Sequence, residues 1–368
     1  MSHSSPTSKP PPSPATGPAV WLHLKRLFGG GGAAGANAWS TLVPTAERRL
    51  PRADDYELLH IIARNDRATI YRATERATGG LAAFKTVRIG HGDGGADRGL
   101  WRDRFLREAA AAARLKHDCI VRVRAGGVLG EGDTLAGWLA MEWVHGTDMS
   151  RYASPARLLP EGIVLGIAQR VALALDFAHR SGIIHRDVKP SNVLFDPTTG
   201  TVKVTDFGSA RVADAVATRS GLIMGTPAYM SPEQLAGEPV TPRSDLYGLG
   251  VMLFELLIGR RPFEADSMGD LLQRIAHQTP PRLRSLRPEL PALLDEVVAR
   301  LLAKSPAMRQ ADGRQVALEL NLAQGHCMTA EAGSAAAQWA DTLPGGPPEP
   351  APAHDGAENA AFQGTIDR

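Results

Sequence analysis

Three short runs open the patterned part of the chain: "YELLHII" (56–62), "TIYRATER" (69–76) and "LAAFKTV" (81–87). Each is rich in β-branched, aromatic or aliphatic residues and short enough to read as a strand. A Gly/Asp linker, "GHGDGGADRG" (90–99), separates them from a helical segment, "LWRDRFLREAAAAARLK" (100–116). Two more strands read as "IVRVRAGGVL" (120–129) and "GWLAMEWV" (137–144). After "HGTDM" (145–149) the period changes. Ile163, Ile167, Val171, Leu175 and Ala178 fall on one face of a helix. The longest apolar run, "LYGLGVMLFELLIG" (246–259), is too short for a membrane span and contains Glu255, so it reads as a buried core helix. The pattern predicts an α+β chain with a small strand-rich part ahead of a larger helical part, and no internal repeat.

The ends differ from this middle. Residues 1–53 are rich in Pro, Ser, Gly and Ala, with "GGGG" at 29–32, and residues 323–368 finish in "LPGGPPEPAPAHDGAENAAFQGTIDR". Such compositions bury too little apolar surface to offset the entropy of ordering, so both are expected to be disordered tails. Within the first lies "AVWLHLKRLF" (19–28), with Trp21, Leu24 and Leu27 or Phe28 at helical spacing beside Lys25 and Arg26. It either docks on a partner or membrane surface, or is a transient helix of a free tail.

Bulk properties narrow the classes. The chain has 368 residues, 43% hydrophobic and 22% charged, as globular proteins do. A net charge of +2 provides no basic field for nucleic acid. Cys119 and Cys327 stand far apart without a CxxC or Cys/His cluster, which predicts a reducing compartment and no thiolate metal site. The N-terminus carries no signal-peptide pattern and no transmembrane segment is read, so the expected location is cytoplasmic.

The chemistry concentrates in "IIHRDVKPSNVLF" (183–195), "VKVTDFGSA" (202–210) and "GTPAYMSPE" (225–233). Moving a phosphoryl group from ATP requires neutralisation of the triphosphate and an acceptor that orients the attacking hydroxyl. Asp187 can orient an alcohol and take its proton. Lys189 can neutralise charge on the moving group, Asn192 offers a neutral oxygen to Mg²⁺, and Asp206 supplies the hard carboxylate that Mg²⁺ (or Mn²⁺) prefers.

At these residues the chain resembles the eukaryotic-like (Hanks-type) Ser/Thr protein kinases, of bacterial type. HRDxKxxN, DFG and a GT…PE segment occur in order, and the resemblance covers about 54–322. It implies a bilobal kinase fold, with an N-lobe at about 54–144 and a C-lobe at about 145–322. It implies ATP and Mg²⁺ (or Mn²⁺) as cofactors and protein Ser/Thr hydroxyls as substrates. By the same resemblance Lys85 of "AAFK" grips the α- and β-phosphates and pairs with Glu108 of "RFLREA". Met141 is the gatekeeper, and backbone groups of Glu142 and Val144 meet the adenine edge. His185 and Phe207 stack between the lobes. Asp245 anchors the catalytic loop, and Glu233 pairs with Arg309 as scaffold. Arg186 implies an activation segment ordered by phosphate, with Thr218 and Ser220 as candidate phosphosites, while Thr226 positions substrate by bonding Asp187 and Lys189.

One departure stands out. The register of "TIYRA" places the three phosphate-loop glycines at Ala63, Asn65 and Ala68, flanked by Ile62 and Ile70. Glycine permits close backbone approach and positive φ, alanine is its smallest replacement, and asparagine best tolerates left-handed backbone. Two readings stay open: an active kinase with a degenerate loop, or a pseudokinase-like binding or scaffold module with weak or no transfer.

Overall fold

The computed structural model describes residues 52–65, 68–88, 98–131, 134–207 and 227–331. Segment 19–28 and the positions Thr218, Ser220 and Thr226 lie outside the described residues. The small lobe is a five-stranded antiparallel sheet in the order β1-β2-β3-β5-β4. Its strands are β1 (Tyr56–Arg64), β2 (Ala68–Glu75), β3 (Leu81–Arg88), β4 (Val123–Leu129) and β5 (Ala136–Glu142). Alternation along the strands gives the sheet two apolar faces. One buries Tyr56, Phe84 and Trp138, with Phe84 and Trp138 stacked at 5.3 Å. The other packs Val123 and Met141 against Phe105, Leu106 and Ala109 of helix α1 (Arg98–Arg114).

The larger lobe begins with a three-stranded sheet, β6 (Thr147–Asp148), β7 (Val193–Asp196) and β8 (Thr201–Val204). Among the described residues, seven α-helices follow the first strand: α2 (Glu161–Arg180), α3 (Pro232–Leu235), α4 (Pro242–Ile258), α5 (Met268–His277), α6 (Leu283–Leu286), α7 (Ala292–Leu301) and α8 (Gly313–Glu331). Of the face predicted on α2, Ile167, Val171, Leu175 and Ala178 are buried and Ile163 packs at the core's edge. By length and apolarity α2 is a helix that could cross a membrane; here most of its apolar residues are packed into the lobe's core, Leu173 excepted.

Helix α4 is the run read as a core helix. It is apolar on all sides and buried along almost its whole length. Pro242 at its first turn and the reciprocal Thr241–Ser244 bonds set its start. Gly259 at φ 84° ends it, where a Cβ would come within 2.7 Å of Pro155 N. Gly248 lets α4 pass beneath the 183–192 loop, since a Cβ there would lie 3.0 Å from Val188 O.

The boundary expected after 322 needs correction, because α8 runs on to Glu331. Ala323 is fully buried, and Gln324 Nε2 donates to Gly162 O at 3.0 Å while Gln324 Oε1 accepts from Gln169 Nε2 at 2.9 Å. Docking against α2 satisfies polar groups that composition counts only as hydrophilic.

Candidate active site

The loop from Ile183 to Asn192 lies between α2 and β7, and its course is fixed from below. Asp245, in the first turn of α4, is buried and accepts from His185 N (2.8 Å) and Arg186 N (2.6 Å). Its Oδ2 also meets His179 Nε2 at 2.7 Å. Asp245 therefore occupies the anchoring position expected of it. Arg186 (φ 68°) and Asp206 (φ 67°) are the two non-glycine residues with left-handed backbone among the described residues. Such conformations cost about 1–3 kcal/mol and persist only where the surroundings over-determine them. Both adjoin the chemistry.

Asp187 stands at the centre, its side chain about one-third exposed (35%). Lys189 Nζ lies 2.7 Å from Asp187 Oδ2, and Asn192 Nδ2 donates to Asp187 O (2.8 Å) and Oδ2 (3.0 Å). Thr205 N donates to Asn192 O at 2.9 Å, which ties the loop to the residue before Asp206. His185 Nε2 meets Thr205 O at 2.8 Å, and the His185 and Phe207 rings touch edge-on at 4.6 Å. Thus the structure brings Asp187, Lys189, Asn192, Asp206, His185 and Phe207 together.

Lys85 differs from expectation in its partner. Its Nζ lies 2.7 Å from Asp206 Oδ1, and its side chain is only 6% exposed. Glu108 lies instead against Arg104, 3.5 Å away and four residues earlier on the same helix face. The reason is geometric: the left-handed turn at Asp206 carries the chain off β8 and sets its carboxylate against β3. Burial pushes the Asp206 carboxyl up, but the Lys85 charge, its direct hydrogen bond, His185 and Lys189 outweigh this and hold it below the usual range. Asp206 is therefore ionised at neutral pH.

One side of the cleft beside Lys85 is apolar. Val144, Ala83 of β3 and Leu194 of β7 pack around the cluster containing Met141 and are each only partly buried. Ile70 faces Lys85 across the β2–β3 pair and is also partly buried. Leu194, from the larger lobe, was not singled out by sequence reasoning; its place two residues beyond Asn192 in the alternation of β7 was the available signal. Glu142 N donates to Arg122 O (2.9 Å), and Glu142 Oε1 accepts from Arg122 N (2.9 Å) and Lys203 Nζ (2.6 Å), which ties the end of β5 to β8.

The β1–β2 hairpin lies where the glycine loop was expected. Ala63 pairs with Ile70 and Arg64 with Thr69; the register shifts between Ile61 and Ala63, and Ile62 is 46% exposed. Asn65 closes the turn, with its N–H donating to Ala68 O (2.9 Å) and its Oδ1 accepting from Ala68 N (2.7 Å). This is the side-chain turn closure that asparagine makes and glycine cannot.

Glu233 and Arg309 form the expected scaffold pair, bidentate at 2.6 and 2.8 Å and buried. Ser244 Oγ adds a bond to Glu233 Oε1 at 2.7 Å. Burial raises the Glu233 carboxyl, but Arg309 and Ser244 outweigh it and hold it below the usual range. Tyr229 OH donates to the buried Glu255 at 2.6 Å, and Gln234 Nε2 donates to Arg186 O at 2.9 Å; sequence reasoning singled out neither.

The donor set suits a hard cation. With its nitrogen on Asp187, Asn192 presents a neutral oxygen, and Asp206 is an ionised carboxylate. Among the described residues no group of three or more His, Cys, Asp or Glu is gathered as a metal cage. One carboxylate and one amide match the sparse protein ligation of Mg²⁺, whose remaining positions go to water and phosphate oxygens.

Comparison with known proteins places these features in one context. The protein kinase domain family matches residues 56–315. Serine/threonine-protein kinase pkn3 of Myxococcus xanthus is 40% identical over 228 residues, covering 59% of this chain and 41% of that protein. PknA of Mycobacterium tuberculosis is 35% identical over 262 residues, covering 70% of this chain and 58% of that protein. The chain therefore spans roughly half the length of such curated relatives. The crystal structure of the M. tuberculosis PknI kinase domain superposes with a TM-score of 0.58 at 31% identity, covering 76% of this chain and 100% of that one.

Proposed function

Because the chain belongs to the protein kinase domain family, with bacterial Ser/Thr kinases as relatives, we propose that it transfers the γ-phosphoryl group of ATP to Ser/Thr hydroxyls of proteins. The observation that carries this reading is the cluster of Asp187, Lys189 and Asn192 within hydrogen-bond reach of one another, adjoining Asp206 and Lys85. Asp187 orients the attacking hydroxyl and accepts its proton. Lys189, held at 2.7 Å from Asp187, offsets negative charge as the phosphoryl group moves. Lys85 serves the α- and β-phosphates from β3. Ala83, Val144, Leu194, Ile62 and Ile70 offer apolar surface to a flat base, with backbone groups of Glu142 and Val144 at its edge. Asn192 and Asp206 would hold Mg²⁺, which when bound would neutralise charge on the triphosphate.

The degenerate loop belongs to the same reading. Ala68 N–H is a backbone donor of the kind a phosphate-covering loop offers, and here it is given to Asn65 Oδ1. The loop is thereby a self-closed hairpin with reduced hold on ATP, and the rate rests on the charged groups below it. Autophosphorylation of the activation segment at Thr218 or Ser220 is part of the proposal. Its support is Arg186 beside Asp187, a cation able to receive a phosphate.

The test is incubation of the full chain with ATP and Mg²⁺ or Mn²⁺ and a generic basic protein, with Asp187→Asn as control, followed by mapping of phosphorylated residues. Transfer by the wild type alone supports the proposal. No transfer to itself or to the basic protein overturns it in favour of a binding module. Turnover unchanged by Thr218→Ala with Ser220→Ala would remove the regulatory part alone.

A further inference from the structure

The peptide group joining Arg186 to Asp187 carries the catalytic carboxylate, and it is held at both of its polar atoms. Its oxygen, Arg186 O, accepts from Gln234 Nε2 at 2.9 Å, and its nitrogen, Asp187 N, donates to His185 Nδ1 at 3.2 Å. The residue ahead of it has left-handed backbone (φ 68°), a conformation a non-glycine residue leaves unless it is restrained. Asp245 restrains the N–H side of Arg186 at 2.6 Å; among the described residues, Gln234 is the side chain bonded to its carbonyl side.

The carboxamide of Gln234 is itself oriented. Its Oε1 accepts from Ser231 N (3.0 Å) and Ser231 Oγ (3.1 Å), so its nitrogen points at Arg186. Gln234 lies in α3, immediately after Glu233, whose bond to Arg309 fixes that helix to the core.

We propose that Gln234 is a positioning residue for Asp187: it pins the peptide plane from which the carboxylate projects and couples α3 to the catalytic loop. This rests on the kinase reading above. Among the described residues, the side-chain hydrogen bonds of Gln234 go to Ser231 and Arg186, so its loss acts on turnover and spares ATP binding.

The experiment compares wild type, Gln234→Ala and Gln234→Glu as full chains, measuring kcat and the KM for ATP from pH 7.5 to pH 5. Glutamate keeps the shape and the acceptor for Ser231 but, ionised, has no proton to give Arg186 O. At pH 7.5 both variants are expected to have kcat about tenfold below wild type, the scale of one lost orienting hydrogen bond, with the KM for ATP within about twofold. With a carboxyl pKa of about 4.3, the Gln234→Glu deficit should shrink to about fourfold at pH 5, where the protonated acid donates again. The Gln234→Ala deficit should stay constant. A general loss of folding would not reverse with acid, so the pH arm decides even where Gln234→Ala is unstable. The proposal is overturned if Gln234→Glu matches wild type at pH 7.5, or if its deficit fails to shrink with acid. A wild type without transfer at any pH overturns the kinase reading instead.

Discussion

Two loops of this molecule face the same expected substrate and are held in opposite ways. The catalytic loop, 183–192, is fastened by other elements: Asp245 of α4 holds two of its N–H groups, Gln234 of α3 holds a carbonyl, and Thr205 bonds Asn192 from beside β8. The β1–β2 hairpin is fastened by itself, through the Asn65–Ala68 pair. The first carries the residues that the proposed phosphoryl transfer uses, while the second has Ala63, Asn65 and Ala68 where the family resemblance implies glycine. The contrast teaches where substitution is tolerated. A loop whose shape depends on several distant elements, and whose side chains carry the charge, has few alternatives. A hairpin closed by its own Asn65–Ala68 bonds depends on no distant element, so under the proposed function its substitutions affect only the hold on ATP.

The largest effect that sharpens this contrast is Asp187→Asn. It removes the proton acceptor while preserving shape, so kcat should fall by at least about 10³-fold with the melting temperature nearly unchanged, as read by phosphate incorporation and calorimetry. An active Asp187→Asn protein would break the comparison outright. Next is Asp245→Ala, which leaves His185 N and Arg186 N unsatisfied in a buried place. Urea titration should show a loss of about 3 kcal/mol, accompanied by reduced turnover.

Glu233→Gln tests the scaffold on which α3 rests. Leaving Arg309 buried beside a neutral amide should cost about 3 kcal/mol at pH 7. The pH dependence has a definite sign. The Glu233 carboxyl lies below its ordinary value in the folded protein, so the stability it brings is fully present above the unfolded pKa, about 4.3, and is lost as pH falls through the folded value. Wild type should therefore lose stability in acid more steeply than Glu233→Gln; parallel curves would mean the pair is not the acid-sensitive link. The smallest effect belongs to the hairpin. Asn65→Gly frees Ala68 N–H and restores the permissive residue, so the KM for ATP should fall about two- to fivefold while stability drops by no more than about 1 kcal/mol. An unchanged KM would mean that this closure has no bearing on nucleotide binding.

Much of this was legible in the sequence because its parts are local. The strands around Lys85, the core helix containing Asp245 and the alternation leading into Asp206 follow from periods of two and 3.6 over short windows. Asp187, Lys189 and Asn192 fall within one short loop, so no folding geometry was needed to see them as a group. The end of α8 was less legible: Gly325 and the polar residues around it look like linker until α2 is packed alongside.

By itself, then, the sequence determined the family, the order of the elements and the candidate reacting groups, since these reside in spacing along the chain. Only the tertiary structure decided who pairs with whom. Lys85 had two carboxylates to choose from and took Asp206, Glu108 turned to Arg104, Glu142 joined Lys203, and Gln234 reached Arg186. An ion pair or hydrogen bond requires approach to within about 3–4 Å at a suitable angle. That condition depends on how separate elements are placed in space, which residue order alone does not specify.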